Sequence, residues 1–165
     1  MDVLIRKAKK KDVNQVYNIL LEMIRSEDTS SKIVSNSLLD LRKRRSDFIK
    51  SAKQELIREF KEKKSIYLIA EIDNKILGYV RGSIIEDKDP FFKTVKIGHL
   101  NALVVLKQYS GKGIASKLNI SIEKWFKENK CSQIHLEVFE NNPAIQIYEK
   151  WNYKTFNRKM VKNLK

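Results

Sequence analysis

The apolar residues change from strand spacing to helical spacing across Gly111-Lys112-Gly113. Before those glycines, Val95 to Leu106 reads as one long strand. After them, Ile114, Ala115, Leu118, Ile122, Trp125 and Phe126 recur at helical spacing, and Glu123 with Lys127 forms a supporting pair one turn apart. A strand that becomes a helix through two glycines puts the chain in the mixed α/β class.

The remaining pattern fills in that class. Val3 to Ile5 is a short strand. A helix begins at Asp12, where Gln15 three residues on gives a capping-box spacing, and its apolar face runs from Val13 through Val16, Tyr17, Leu20 and Met23 to Ile24. Residues 26–37 are polar and read as a loop. A second helix is predicted over 38–63, with the basic run Arg42 to Arg45 near its start. Ile66 to Ile72 and Lys75 to Ile85 form a hairpin about Asp73-Asn74-Lys75. A loop over 86–93 follows, then the long strand and the glycine corner. Ile134 to Val138 alternates as a strand. Asn142-Pro143 opens a helix that ends near Trp151, and Tyr153 to Leu164 reads as a last strand. The order β-α-α-β-β-β-α-β-α-β, without repeat or linker, predicts a single domain over residues 1–165.

Composition narrows the chemistry. No apolar run approaches the roughly 20 residues of a membrane span. The first residues carry no leader pattern. Cys131 is the only cysteine, so no intrachain disulfide can form, which fits a reducing cytoplasm. With His99 and His135 the only histidines, a metal site built from histidine or cysteine is not expected. The net charge of +14 has two readings. One is an anionic partner: nucleic acid, a membrane surface or a phosphorylated cofactor. The other is solubilising lysine spread over every segment. The Arg42–Arg45 run is likewise either a nucleic-acid contact or a solvated helix face; no aromatic residues interleave with it.

A helix N-terminus preceded by glycines offers backbone N–H groups and partial positive charge to a phosphate. The same residues also serve as a plain strand–helix turn. A P-loop is excluded, because its Gly-x-x-x-x-Gly-Lys-Ser/Thr spacing is absent. A dinucleotide fold is disfavoured: Ser116 stands at the third glycine, and only about fifty residues follow where that fold needs its second half. A third phosphate-binding reading is the pyrophosphate loop of an acyl-CoA-dependent transferase.

Two stretches support that reading. Val105 is followed by three residues, then Tyr109-Ser110-Gly111-Lys112-Gly113-Ile114-Ala115, then Leu118. Downstream lie Leu136-Glu137-Val138, Asn141, Ala144-Ile145, Tyr148-Glu149-Lys150 and Trp151-Asn152-Tyr153. In order and near-identical spacing this resembles the GCN5-related N-acetyltransferase (GNAT) family, most strongly over residues 95–155. There are three departures. Ser110 stands where the family usually has arginine or glutamine. The stretch from Val138 to Asn141 is one residue short, so Asn141 and Asn142 both match the cofactor-facing asparagine. Asn152 replaces a glycine after the last helix, a change suited to a left-handed cap.

The resemblance implies a single-domain acyl-CoA N-acyltransferase fold, with a central mixed, mostly antiparallel sheet flanked by helices. It implies acetyl-CoA as co-substrate, no metal, and direct transfer to a primary amine on a peptide, protein or small molecule. CoA's diphosphate would lie on Ser110, Gly111, Lys112, Gly113, Ile114, Ala115 and Ser116. The pantetheine arm would pair with the backbone of Leu103, Val104 and Val105, and a backbone N–H near Val104 or Val105 would meet the developing oxyanion. Tyr148 matches the tyrosine that protonates the leaving thiolate; the plainer reading is a core aromatic. The base is open among His99, Glu137 and ordered water. His135 and Cys131 read as structural. Acceptor choice would come from the segment after Ile24, from 38–63 and from 86–94. A homodimer is left open, and no membrane partner is implied. The alternative is a basic, nucleic-acid-associated relative, either a toxin-like enzyme acetylating tRNA-borne amines or a non-catalytic binding module.

Overall fold

Asp73 and Asn74 both take left-handed φ, 47° and 64°. That two-residue turn matches strand twist and closes a hairpin between β2 (Ser65–Ile72) and β3 (Lys75–Asp87). In the computed structural model the described residues are 2–34, 45–88, 90–91, 93–160 and 162. Around the hairpin, β1 (Leu4–Lys7) pairs antiparallel with β2, and β4 (Val95–Val105) pairs antiparallel with β3. The last strand, β5 (Gln133–His135), pairs parallel with β4. The sheet order is β1-β2-β3-β4-β5, a mixed and mostly antiparallel sheet flanked by helices.

The chain divides into two compact units. The first is Met1–Met23 with Ser46–Leu136 and holds the sheet; the second is Ile24–Arg45 with Glu137–Lys165. In the first, α3 (Ile114–Glu128) buries Ile114, Leu118, Ile122 and Phe126 against Leu68, Val80 and Leu100 on one sheet face. The opposite face, with Tyr67, Ile69 and Tyr79, takes Val13, Val16 and Ile19 of α1 (Val13–Val34) and Leu56 of α2 (Phe48–Glu59). The three central strands, β2, β3 and β4, thus feed two apolar layers through their period-2 alternation.

Several expectations are corrected. The helix that starts near Asp12 does not stop at Ser26; α1 continues to Val34. Once its first turns are anchored in the core, each further residue adds a backbone hydrogen bond without needing an apolar stripe. The Asp12–Gln15 pair is not a reciprocal cap. Asp12 accepts from the Lys9 N–H at 2.7 Å and from both Arg6 terminal nitrogens, and Arg6 also reaches Glu71. Gln15 instead pins the hairpin turn, accepting from the Ile76 N–H at 3.0 Å and donating to the Asn74 carbonyl at 3.2 Å. The helix expected over 38–63 is described from Phe48 to Glu59 only, after a turn at Ser46-Asp47; residues 35–44, with Arg42 to Arg44, lie outside the described residues. The strand expected at Ile134–Val138 is three residues long and ends at His135. Tyr153 to Met160 forms no strand, and Phe156 and Met160 are exposed. Alternating apolar residues make a strand only where a neighbouring edge supplies ladder hydrogen bonds.

Candidate active site

β5 meets β4 only at Ile97, Gly98 and His99. Beyond His99, β4 runs on to Val105, and among the described residues no second strand pairs with that edge. The antiparallel alternation decides which groups face it. The Leu106 N–H bonds to the Leu77 carbonyl at 2.9 Å. Two residues back, Val104 therefore turns its N–H and C=O to Tyr79. Leu103 and Val105 turn theirs away from β3, toward the unpaired edge. Their side chains pack with the α3-side core, while Val104 packs on the opposite face.

The strand ends at a single 3-10 turn, Lys107–Tyr109, and then the glycine corner. Gly111 and Gly113 have φ of 74° and 75°, and an added Cβ at either would meet nothing within 4 Å. Glycine is required there by backbone conformation, and the space beside it is open. Gly113 caps α3 with no side-chain hydrogen bond, so the N–H groups of Ile114, Ala115 and Ser116 sit at the positive end of a 15-residue helix. Two ammonium groups, Lys112 and Lys75, each lie 5.5 Å from the Tyr109 ring centroid. Lys112 was expected at the corner. Lys75, at the far end of the β2–β3 turn, was not, because only the sheet register brings it there.

His99 lies on the sheet face away from α3, since its neighbours Gly98 and Leu100 face that helix. Between Arg81 and Gly82 the β3–β4 register slips: Arg81 pairs with Ala102 and Gly82 with Leu100. Asn101 is thus the extra residue of a β-bulge. Ser83 Oγ donates to Asn101 Oδ1 at 2.8 Å, and Asn101 Nδ2 lies 2.8 Å from His99 Nδ1. Neither Ser83 nor Asn101 stands out in the sequence. A polar residue at a strand position opposite another polar residue is the only signal, and it needs the register to be read. Further along the same face, Arg81 pairs with Glu59 at 2.7 Å, and Glu59 accepts from the Tyr67 hydroxyl. Burial pushes the Glu59 carboxyl above the usual carboxylate range.

The other expected residues belong to the second unit. Glu137 follows β5 and is exposed. Asn142 Oδ1 accepts from the Ala144 N–H at 2.9 Å, so this side chain caps the start of α4 (Ala144–Lys150). Asn141 beside it is exposed. Tyr148 is half-buried, with its ring edge-on to Trp151 and Tyr153 at centroid distances of 5.9 and 5.7 Å. Burial pushes its phenol above the ordinary tyrosine range, which keeps the proton on. Asn152 ends α4 with φ 66°, as its sequence position predicted, and the Tyr153 and Asn152 N–H groups return to the Tyr148 and Glu149 carbonyls. Burial also raises the Cys131 thiol, which disfavours its thiolate form. Among the described residues no group of three or more potential ligands could hold a metal, and no helix is long and apolar enough to cross a membrane.

A mixed sheet whose fourth strand leads through left-handed glycines into a helix defines the acyl-CoA N-acyltransferase fold. The aminoglycoside N-acetyltransferase AAC(6')-Iy, solved with CoA, shares it with a TM-score of 0.76 at 13% identity, covering 99% of this chain and 95% of that one. A mutant of the BH1408 protein from Bacillus halodurans superposes with a TM-score of 0.83 at 18% identity, covering 98% and 99%. The chain belongs to the acetyltransferase (GNAT) family, whose model matches residues 33–153. An N-alpha-acetyltransferase of Saccharolobus solfataricus is 32% identical over 103 residues, 59% of this chain and 62% of the relative. The chain therefore spans about three fifths of that relative's length.

Proposed function

We propose that the chain works as one N-acetyltransferase domain that moves an acetyl group from acetyl-CoA directly to a primary amine in the cytoplasm. The observation that carries this reading is the continuity of the unpaired β4 edge with the glycine corner. A backbone edge for an extended amide chain leads straight into a set of N–H groups for phosphate. The pantetheine arm of CoA carries two amides and is joined to a diphosphate, so one ligand satisfies both devices.

In this reading Leu103 and Val105 pair with the pantetheine amides, and the N–H groups of Gly111 to Ser116 take the diphosphate. Ser110 contributes through its backbone, with Lys112 and Lys75 adding positive charge. The Val105 N–H, which faces the unpaired edge, is the donor best oriented for the oxyanion of the tetrahedral intermediate. Tyr148 returns a proton to the CoA thiolate. Asn141 and Asn142 are the candidates for the cofactor-facing asparagine, and Asn141 is favoured because the Asn142 side chain already accepts from the Ala144 N–H. The amine's proton leaves through His99, Glu137 or ordered water.

The acceptor favoured is a peptide amine, a protein N-terminus first. The similarity to an N-alpha-acetyltransferase supports it, and a chain of net charge +14 repels a polycationic small amine. Acetyl-CoA at millimolar concentration is expected to raise the melting temperature by mass action. An amine panel following CoA thiol release then identifies the acceptor. Absence of any thermal shift sinks the proposal. The same charge favours one second reading, a nucleic-acid-associated relative. Salt-sensitive RNA binding would support it, and no binding at low salt would remove it.

A further inference from the structure

The end of β3 that carries Lys75 is not held by a regular ladder. Ala70 pairs with Gly78 and Glu71 with Ile76, which leaves Leu77 as an extra residue on β3. Two contacts from outside the hairpin fix this bulged end. The Leu77 carbonyl accepts from the Leu106 N–H at 2.9 Å, which ties it to the end of β4. Gln15 of α1 brackets Lys75: its Oε1 accepts from the Ile76 N–H at 3.0 Å, and its Nε2 donates to the Asn74 carbonyl at 3.2 Å. Both partners are backbone groups with fixed roles, so the orientation of the carboxamide follows from them. The turn itself is made by Asp73 and Asn74 at left-handed φ and does not depend on Gln15. What Gln15 adds is the placement of the residue that follows.

That residue lies beside the glycine corner. Lys75 Nζ is 5.5 Å from the Tyr109 ring centroid, as is Lys112 Nζ, and Tyr109 stands two residues before Gly111. Among the described residues neither ammonium has an ion-pair partner. A cation–ring contact at an exposed site is weak, and two ammonium groups at one ring repel each other. An anion beside them relieves that repulsion, and the space at Gly111 and Gly113 is open to one.

We propose that Gln15 is a positioning residue of the cofactor site: by holding the bulged end of β3 it sets Lys75 beside Lys112, and the two ammonium groups together bind a phosphate of CoA. This deepens the reading given under Proposed function and rests on it. CoA carries two kinds of phosphate, the diphosphate and the 3′-phosphate of its ribose, and either presents the negative charge that the pair lacks.

The test is isothermal titration calorimetry of the full chain with CoA and with dephospho-CoA. Lys75→Gln should weaken CoA binding about fivefold at low salt, the upper range for an exposed ion pair. The difference should shrink as salt rises. Gln15→Ala should weaken CoA by up to about the same factor in the wild-type background and not at all in Lys75→Gln, because the two residues act through one contact. A loss confined to CoA assigns the lysine pair to the 3′-phosphate; a loss shared with dephospho-CoA assigns it to the diphosphate. Full CoA affinity in Lys75→Gln would overturn the proposal. A Gln15→Ala loss that persists in Lys75→Gln would make Gln15 a structural residue only and overturn its positioning role. Failure of the wild-type chain to bind CoA would overturn the cofactor reading and this inference together, and it would be seen before any variant is made.

Discussion

Gly98 lies directly beneath the ring of Phe126: a Cβ built on Gly98 would sit 2.5 Å from two ring carbons. Phe126 is fully buried, and Ile122 covers the neighbouring Gly82 in the same way. The two glycines let α3 approach the β3–β4 pair closely. That seats the helix whose N-terminus forms the glycine corner. Gly98→Ala should therefore cost about 1–3 kcal/mol, the range for overpacking a filled core. Urea denaturation measures it, and an unchanged midpoint would show that the ring gives way freely.

The other end of α3 is strained in a correctable way. Lys130 takes φ 62°, with its N–H on the Lys127 carbonyl and the Cys131 N–H on the Phe126 carbonyl. That is a Schellman ending with a side chain where glycine is preferred. A left-handed L-residue costs roughly 1–2 kcal/mol, partly offset by glycine's greater chain entropy. Lys130→Gly should raise stability by about 1 kcal/mol. A higher urea midpoint at constant slope is the expected result.

Asp12 sets an acid-dependent part of the stability. It is buried, and the Arg6 guanidinium holds its carboxyl below the usual range. A depressed acid stabilises the fold above its unfolded pKa of about 3.9, and that contribution is lost as pH falls through the folded value. Asp12→Asn should cost about 2 kcal/mol at neutral pH, the worth of hydrogen bonds to a charged group, because Arg6 keeps its Glu71 partner. Stability measured from pH 6 down to pH 2 should fall less steeply in the variant than in the wild type. Parallel curves would mean that Asp12 does not titrate with folding.

What was legible in the sequence was local. Asp73-Asn74 specifies its turn through residues that tolerate positive φ, and Gly111 and Gly113 specify theirs. Asn152 was readable as a left-handed cap from its place after an apolar helix. What was not legible depended on pairing across the chain. Gln15 looks like a helix-capping residue until β2 and β3 bring Asn74 and Ile76 beside it. Asn101 looks like one polar letter in a strand until the register slips at Arg81 and Gly82. Residues 26–34 lack an apolar stripe, and helix propagation does not need one. Asn141 and Asn142 were equivalent as letters; only the fold shows that the Asn142 side chain accepts from the Ala144 N–H.

Tyr148 offers the most direct test of the proposed chemistry. A general acid must hold its proton until the thiolate forms, and burial raises this phenol rather than lowering it. The acid form then persists as pH rises, and its loss belongs above the ordinary tyrosine value of about 10. Wild-type kcat should show no basic limb from this group up to pH 9. Tyr148→Phe keeps the ring that meets Trp151 and Tyr153, so the end of α4 should stay folded. Its kcat should fall about a hundredfold or more, the usual contribution of a positioned acid, with the acetyl-CoA-induced thermal shift retained. Full turnover in that variant, with cofactor binding intact, would assign the proton to solvent and leave Tyr148 a packing residue.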